Sequence, residues 1–208
     1  SIHWILKSEL DQTPTDPFTE TTTGFVGANF PVDITSVGNF AFIVGLNGYV
    51  YSTDDPTGGV TVLDAGVATS DNLHMVKALN DQFAVAVGAN AAIIITENQS
   101  SWSALTGPSG VADGFTAIAL KNEKEFLIGT DAGEMYYTND KAVTWTQVTL
   151  PGTGYSQISD IEFGTDSVVY ASALTTATAG RMLRSYDGGN SWNILPEGTA
   201  TIPANDEI

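Results

Sequence analysis

Apolar runs of four to seven residues alternate with polar turns along most of the chain, and they recur in a fixed order. A first run mixes apolar and polar positions: Val32–Val37, Leu73–Leu79, Phe115–Leu120 and Ile158–Phe163. A short polar turn follows: Gly38-Asn39, Asn80-Asp81, Asn122-Glu123 or Gly164-Thr165-Asp166. The second run is the most apolar: Phe40–Val44, Phe83–Val87, Glu125–Ile128 and Val168–Ala171. In its first two copies it is apolar throughout, as expected of a strand covered on both faces. The next turn is rich in residues that tolerate positive φ, as in Gly45-Leu46-Asn47-Gly48, Gly88-Ala89-Asn90-Ala91 and Gly129–Gly133, and predicts a hairpin. In the fourth copy this turn is predicted to expand over Ser172–Gly180. A third run (Tyr49–Tyr51, Ile93–Ile95, Met135–Tyr137) and a fourth (Val60–Leu63, Ser103–Leu105, Thr146–Leu150, Asn193–Leu195) complete the unit.

One stretch between third and fourth runs sets the period. Ser185-Tyr186-Asp187-Gly188-Gly189-Asn190-Ser191-Trp192 has a hydroxyl residue, an Asp two later, glycines, then Ser-Trp. Looser copies are Ser8-Glu9-Leu10-Asp11, Ser52-Thr53-Asp54-Asp55, Thr96-Glu97-Asn98 with Trp102, and Thr138-Asn139-Asp140 with Thr144-Trp145. The leading hydroxyls at 8, 52, 96, 138 and 185 are 44, 44, 42 and 47 residues apart. Four antiparallel strands every ~40–45 residues is the period of a β-propeller blade. A blade cannot bury both faces alone, so blades stack in a ring.

The expected fold is therefore all-β: a β-propeller of four-stranded antiparallel blades, five in number, the last shared by the two termini. One domain over 1-208 divides into a partial blade at 1-29, blades at 30-68, 69-111, 112-154 and 155-198, and a C-terminal clasp at 199-208. The N-terminus would supply a third strand, His3–Lys7, and a fourth, Phe18–Thr23. The tail would supply a first strand, with Asn205–Ile208 matching Ser159–Glu162. Such a clasp offsets the entropy of an open ring.

The pattern S-x-D-G-G-x-S-W resembles the Asp-box, or BNR repeat, of sialidase-like β-propellers and of the photosystem II assembly factor type. The resemblance implies that the box is the outer hairpin between third and fourth strands. Its Asp and hydroxyl side chains would bond turn backbone, and its Trp would fill the space between blades. Asp54, Asp140, Asp187, Trp102, Trp145 and Trp192 are then structural. Sialidases also use three arginines as a carboxylate clamp. This chain has two, Arg181 and Arg184, and their odd spacing on one strand puts them on opposite faces. Other Asp-box glycosidases pair carboxylates across a cleft. Asp33 with Asp160 or Glu162 around a central channel is the nearest candidate set, and these read better as solvated or hydrogen-bonded channel residues. The assembly factors are longer and usually carry a basic patch.

Charge narrows the function classes. Against 24 acidic residues stand 7 basic ones, a net −17. A nucleic-acid partner and an anionic membrane surface both need cations the chain lacks. A hydrophobic content of 42% and mean hydropathy of +0.04 fit a folded chain, and no apolar run reaches the ~20 residues of a membrane helix. With no Cys, thiol chemistry is excluded. The chain starts at Ser1 without a signal pattern, which reads as a processed product or a domain of something longer. His3 and His74 are far apart with no ligand cluster beside either, and His74 is expected to line the channel or be capped. Asp54–Gly59 lacks the ligand count of a calcium loop. Asn98-Gln99-Ser100 is a glycosylation sequon in pattern only. No catalytic, cofactor or metal residue is assigned.

The expected function is a non-enzymatic binding or structural propeller with a protein partner in a larger assembly. Acidic, Cys-free, Gly- and Thr-rich chains resemble secreted proteins or virion components, so the expected location is extracellular or the virion surface. The alternative is a lectin with a glycan in each inter-blade loop. The dissimilar loops Ala65–Ala68, Gly107–Gly110 and Pro151–Gly154 count against it. A glycoside hydrolase comes third. Departures from a repeat are where function is often grafted, and here these are Asp11–Thr23 and Ser172–Gly180.

Overall fold

A computed structural model describes residues 29–54, 60–177 and 179–195. They form four sheets, each of four antiparallel strands in simple sequential order. Blade 1 comprises β1 (Pro31–Val37), β2 (Phe40–Gly45), β3 (Tyr49–Thr53) and β4 (Thr61–Ala65). Blade 2 comprises β5 (Leu73–Ala78), β6 (Ala84–Gly88), β7 (Ile93–Thr96) and β8 (Trp102–Ala104). Blade 3 comprises β9 (Phe115–Leu120), β10 (Phe126–Thr130), β11 (Met135–Thr138) and β12 (Thr146–Gln147). Blade 4 comprises β13 (Tyr155–Phe163), β14 (Val169–Thr175), β15 (Gly180–Ser185) and β16 (Asn193–Ile194). The helix among the described residues is two single 3₁₀ turns, Leu46–Gly48 and Ala89–Ala91, between second and third strands. Each has an Asn at positive φ, 57° at Asn47 and 52° at Asn90. The all-β propeller architecture is as the repeat predicts. The predicted terminal strands, the Ser8 copy of the box and the clasp lie outside the described residues.

The inner strands β1, β5, β9 and β13 pack in succession, so the blades stack face to face. Alternate residues of each second strand serve alternate neighbours. In β6, Ala84 and Ala86 pack on Phe42, Val44 and Val50 of blade 1. Val85 and Val87 pack on Phe115, Ile118, Phe126 and Ile128 of blade 3. This is why the second run is apolar throughout. Between blades 3 and 4, Leu127 and Met135 meet Ile158, Ile161, Val169 and Leu183. The approach is close: a Cβ added at Gly129 would lie 2.5 Å from Ile158 Cβ, so glycine is required there.

Two sets of backbone bonds repeat at the two ends of the blades. At one end the residue opening each second-to-third turn donates to the residue before or at the start of the inner strand. These are Leu46 to Phe30 (3.0 Å), Ala89 to Asn72 (2.8 Å), Asp131 to Gly114 (2.9 Å) and Thr176 to Gly154 (2.7 Å). At the other end the box turn donates to the first-to-second turn: Gln99 to Gln82 (3.1 Å), Lys141 to Lys124 (3.0 Å) and Gly188 to Ser167 (2.8 Å).

Three local expectations change. The hairpin register pairs Ala41 with Thr53, as Ala84 pairs with Thr96, Phe126 with Thr138 and Val169 with Ser185. Thr53, not Ser52, is therefore the blade 1 box hydroxyl. The predicted turn Ser172–Gly180 is largely strand: Ser172, Ala173 and Leu174 pair with Met182, Arg181 and Gly180, lengthening the hairpin. The fourth strand of blade 3 is confined to Thr146–Gln147, shorter than the predicted Thr146–Leu150.

Candidate functional site

The box of blade 4 is occupied by its own turn. Ser185 Oγ donates to Asp187 Oδ1 (2.7 Å) and accepts from Gly189 N (2.8 Å). Asp187 in turn accepts from Ser191 N (2.8 Å) and Ser191 Oγ (2.6 Å). These donors hold the Asp187 carboxyl down at about 2, the Ser191 hydroxyl contributing most. Trp192 is buried, its Nε1 donating to Gly189 O (2.9 Å), within the cluster that joins blades 3 and 4. Blade 3 repeats the arrangement. Thr138 Oγ1 bonds Asp140 (2.9 Å), and Asp140 accepts from Thr144 N (2.8 Å) and from the Thr144 hydroxyl. The Asp140 carboxyl is lowered by the same donors. Trp145 Nε1 donates to Thr106 O of blade 2 (2.9 Å). In blade 2 Asn98 stands for the Asp, accepting from Ser101 N and Ser101 Oγ (both 2.9 Å). A carboxylate whose lone pairs are taken by its own turn is a clamp for that turn.

Along the axis the inner strands bring together Asp33, Lys77, Asp160 and Glu162. Lys77 Nζ meets Glu162 Oε2 at 2.7 Å, linking blade 2 to blade 4. Burial pulls the Lys77 ammonium down, but the Glu162 bond, with Asp160 and Asp33 nearby, leaves it above its ordinary value. Asp33 Oδ2 accepts from Val76 N (2.8 Å). Burial raises the Asp33 carboxyl; the Val76 and Ile34 amides and Lys77 oppose that rise. The glycosidase candidates are thus close in space, with Glu162 ion-paired and Asp33 bonded to backbone. His74 Nδ1 lies 3.0 Å from Phe115 O, a bond made when Nδ1 carries the proton. No group of three or more His, Cys, Asp or Glu suited to a metal occurs among the described residues.

A cavity of about 340 Å³ opens at the end of the lengthened blade 4 hairpin. Its floor and walls are the connector Gly152–Tyr155, the hairpin residues Thr175 and Thr176, Arg181 and the outer-strand residue Ile194. Tyr155 is fixed by its hydroxyl bond to Pro151 O and by the cavity wall. Burial raises the Tyr155 phenol and the nearby Arg181 charge opposes this. Arg181 Nη1 donates to Gly180 O (3.1 Å). The arrangement offers an aromatic wall, hydroxyls and one cation, which can hold a ligand but contains no nucleophile–base pair. The second arginine, Arg184, lies on the opposite face of β15, with its guanidinium carbon 4.3 Å from the centre of the Tyr186 ring. The spacing argument from sequence therefore holds. That face is open: Tyr170, Leu174 and Met182 are 38%, 41% and 48% exposed. Sequence reasoning flagged the hairpin but missed Tyr155 and Ile194, which come from other elements.

No protein-family model and no curated protein matches the chain. Solved structures do. YCF48 bound to D1 peptide is 20% identical over 59% of this chain and 40% of that chain, with a TM-score of 0.48. The computationally designed Ika8 protein is 14% identical over 77% and 47%, with a TM-score of 0.59. Streptogramin B lyase is 12% identical over 80% and 65%, with a TM-score of 0.57. The chain spans less than two thirds of each. The latter two superpositions support the propeller fold, and they include an enzyme and a designed protein, so the fold does not decide activity.

Proposed function

We propose that this propeller is a non-enzymatic, protein-binding module and a surface-exposed part of a larger assembly, extracellular or on a virion surface. Its partner docks at the connector end of blade 4. The cavity under the β14–β15 hairpin carries the reading: it combines an aromatic wall, hydroxyls and Arg181 at the place where the repeat is lengthened. A volume of this order takes a side chain or a short turn of a partner. The non-enzymatic part is supported by the box carboxylates being engaged in their turns, by Glu162 being ion-paired, and by the two arginines facing apart. The location rests on composition alone.

The test is cross-linked capture from the native source with wild type, Arg181→Glu and Thr175→Trp, which reverse the charge and fill the cavity. Both variants are expected to keep the wild-type melting temperature and to lose the captured protein by tenfold or more. Unchanged capture by both overturns the reading. A glycan-array signal abolished by the same variants replaces it with a lectin, and glycoside hydrolysis abolished by Asp160→Asn replaces it with an enzyme.

A further inference from the structure

Acidic residues run through most of the chain, but residues 141–159 and 167–186 contain no Asp or Glu. These two stretches build the connector and the hairpin of blade 4, and every described lining residue of the cavity except Ile194 comes from them. None of the described lining residues is acidic, and one of them, Arg181, is a cation. Its charge is close enough to act on the Tyr155 phenol across the same cavity. In a chain of net charge −17 the cavity is a local site of opposite sign. Acidic side chains farther away than about 8 Å are largely screened at physiological salt, so the guanidinium dominates what a bound group feels there.

The hairpin spends its backbone donors on itself. Thr175 N donates to Ala179 O (3.0 Å), Ala179 N to Thr175 Oγ1 (3.3 Å) and Thr176 N to Gly154 O (2.7 Å). Two hydroxyls are also committed: Thr175 Oγ1 donates to Ala179 O (3.2 Å) and the Tyr155 phenol to Pro151 O. The Thr176 hydroxyl is placed differently. It lies 3.4 Å from where a Cβ on Gly154 would stand, so it faces the connector. The connector glycines keep this space open. A Cβ on Gly152 would sit 3.5 Å from Ile194 Cδ1 and 3.9 Å from the Tyr155 hydroxyl oxygen, in the gap between those two walls.

These donors select a class of ligand. A single guanidinium is a planar fork that matches the two oxygens of a carboxylate, whereas phosphate groups are commonly met by clusters of cations. Capture of a chain's terminal carboxylate draws on a run of backbone amides, and here those of Thr175, Thr176 and Ala179 are engaged within blade 4. A side-chain carboxylate needs fewer donors. Its methylene stem also suits the Tyr155 ring and Ile194, which is 40% exposed. Given docking at this cavity, we propose that the partner's anchor is one Asp or Glu side chain. Its carboxylate pairs with Arg181 and accepts from the Thr176 hydroxyl, and its stem lies against Tyr155 and Ile194.

The test pans two displayed random peptide libraries on the wild type, one tethered through its C-termini and one with free C-termini. Affinities of the selected peptides are then measured on wild type, Arg181→Gln, Arg181→Lys and Thr175→Trp, each with its melting temperature. Peptides that Thr175→Trp excludes are expected to share an Asp or Glu. Changing that residue to Asn or Gln should weaken binding to the wild type by about tenfold and to Arg181→Gln by less than about twofold, while Arg181→Lys keeps part of the affinity. Cavity-dependent peptides that lack a shared acid, or whose acid matters equally on Arg181→Gln, overturn the carboxylate anchor and leave the docking site standing. Cavity-dependent peptides found only with free C-termini overturn it in favour of a terminal carboxylate. The absence of any peptide that Thr175→Trp excludes overturns the anchor and the docking site together.

Discussion

Blades 3 and 4 have the same strand order and the same box turn, yet they use their second strands differently. In blade 3 every residue of β10 is buried, because Phe126 and Ile128 look to blade 2 and Leu127 and Gly129 to blade 4. In blade 4, β14 alternates: Val169, Ala171 and Ala173 are buried against blade 3, while Tyr170 and Leu174 on the other face are exposed. Register makes Leu127 the counterpart of Tyr170, since they pair with Tyr137 and Arg184, each just before the box hydroxyl. The repeat thus supplies stability through both faces where a blade has two neighbours. In blade 4, where the described residues cover only one face of β14, the other face carries Arg184 with the aromatic side chains Tyr170 and Tyr186, and the hairpin is longer.

The comparison can be pressed hardest at the box tryptophan. Trp192 is buried in the joint between the two blades, so Trp192→Ala is expected to cost about 3–5 kcal/mol in chemical denaturation. The folded fraction should still capture the partner. Retained stability with lost capture would make the box a functional site. Next in size is the close contact itself. Gly129→Ala drives a methyl into Ile158 and should cost about 1–3 kcal/mol, whereas Ser172→Ala at the matching position should change stability by about 0.5 kcal/mol or less. Equal losses would mean that blade 4 is packed as tightly on its far side.

The smallest effect lies on the axis. Burial raises the folded-state pKa of Asp33, so its ionisation weakens folding as pH rises through and above the ordinary carboxylate range near 4. Asp33→Asn keeps an acceptor for Val76 N and should stabilise by under about 1 kcal/mol at pH 7. The gain should vanish below about pH 4, where the wild-type carboxyl is protonated. A gain that grows on acidification would reverse the assignment.

Much of the fold was readable because its signals are local. Each apolar run is a few residues long, and the Asn that predicts a turn is the Asn found at positive φ. What failed was decided by pairing. Ser52-Thr53-Asp54-Asp55 offers two hydroxyl–acid readings one residue apart, and only the bond register with β2 selects Thr53; a one-residue slip exchanges the faces. Ser172–Thr175 looks like turn by composition, yet its alternation suits a strand once Arg181 and Met182 stand opposite. The candidate site was half visible: the lengthened hairpin breaks the period, but its cavity needs Tyr155 from the preceding connector. The Lys77–Glu162 pair joins residues 85 apart, which no local pattern encodes.

The central claim is that blade 3 depends more on its outward face, which blade 4 covers, than blade 4 depends on its own. Urea denaturation of Leu127→Ala and Tyr170→Ala tests it most directly. The expected losses are about 2–5 kcal/mol for Leu127→Ala, which is fully buried, and under about 1 kcal/mol for Tyr170→Ala. Comparable losses at the two positions would contradict the account.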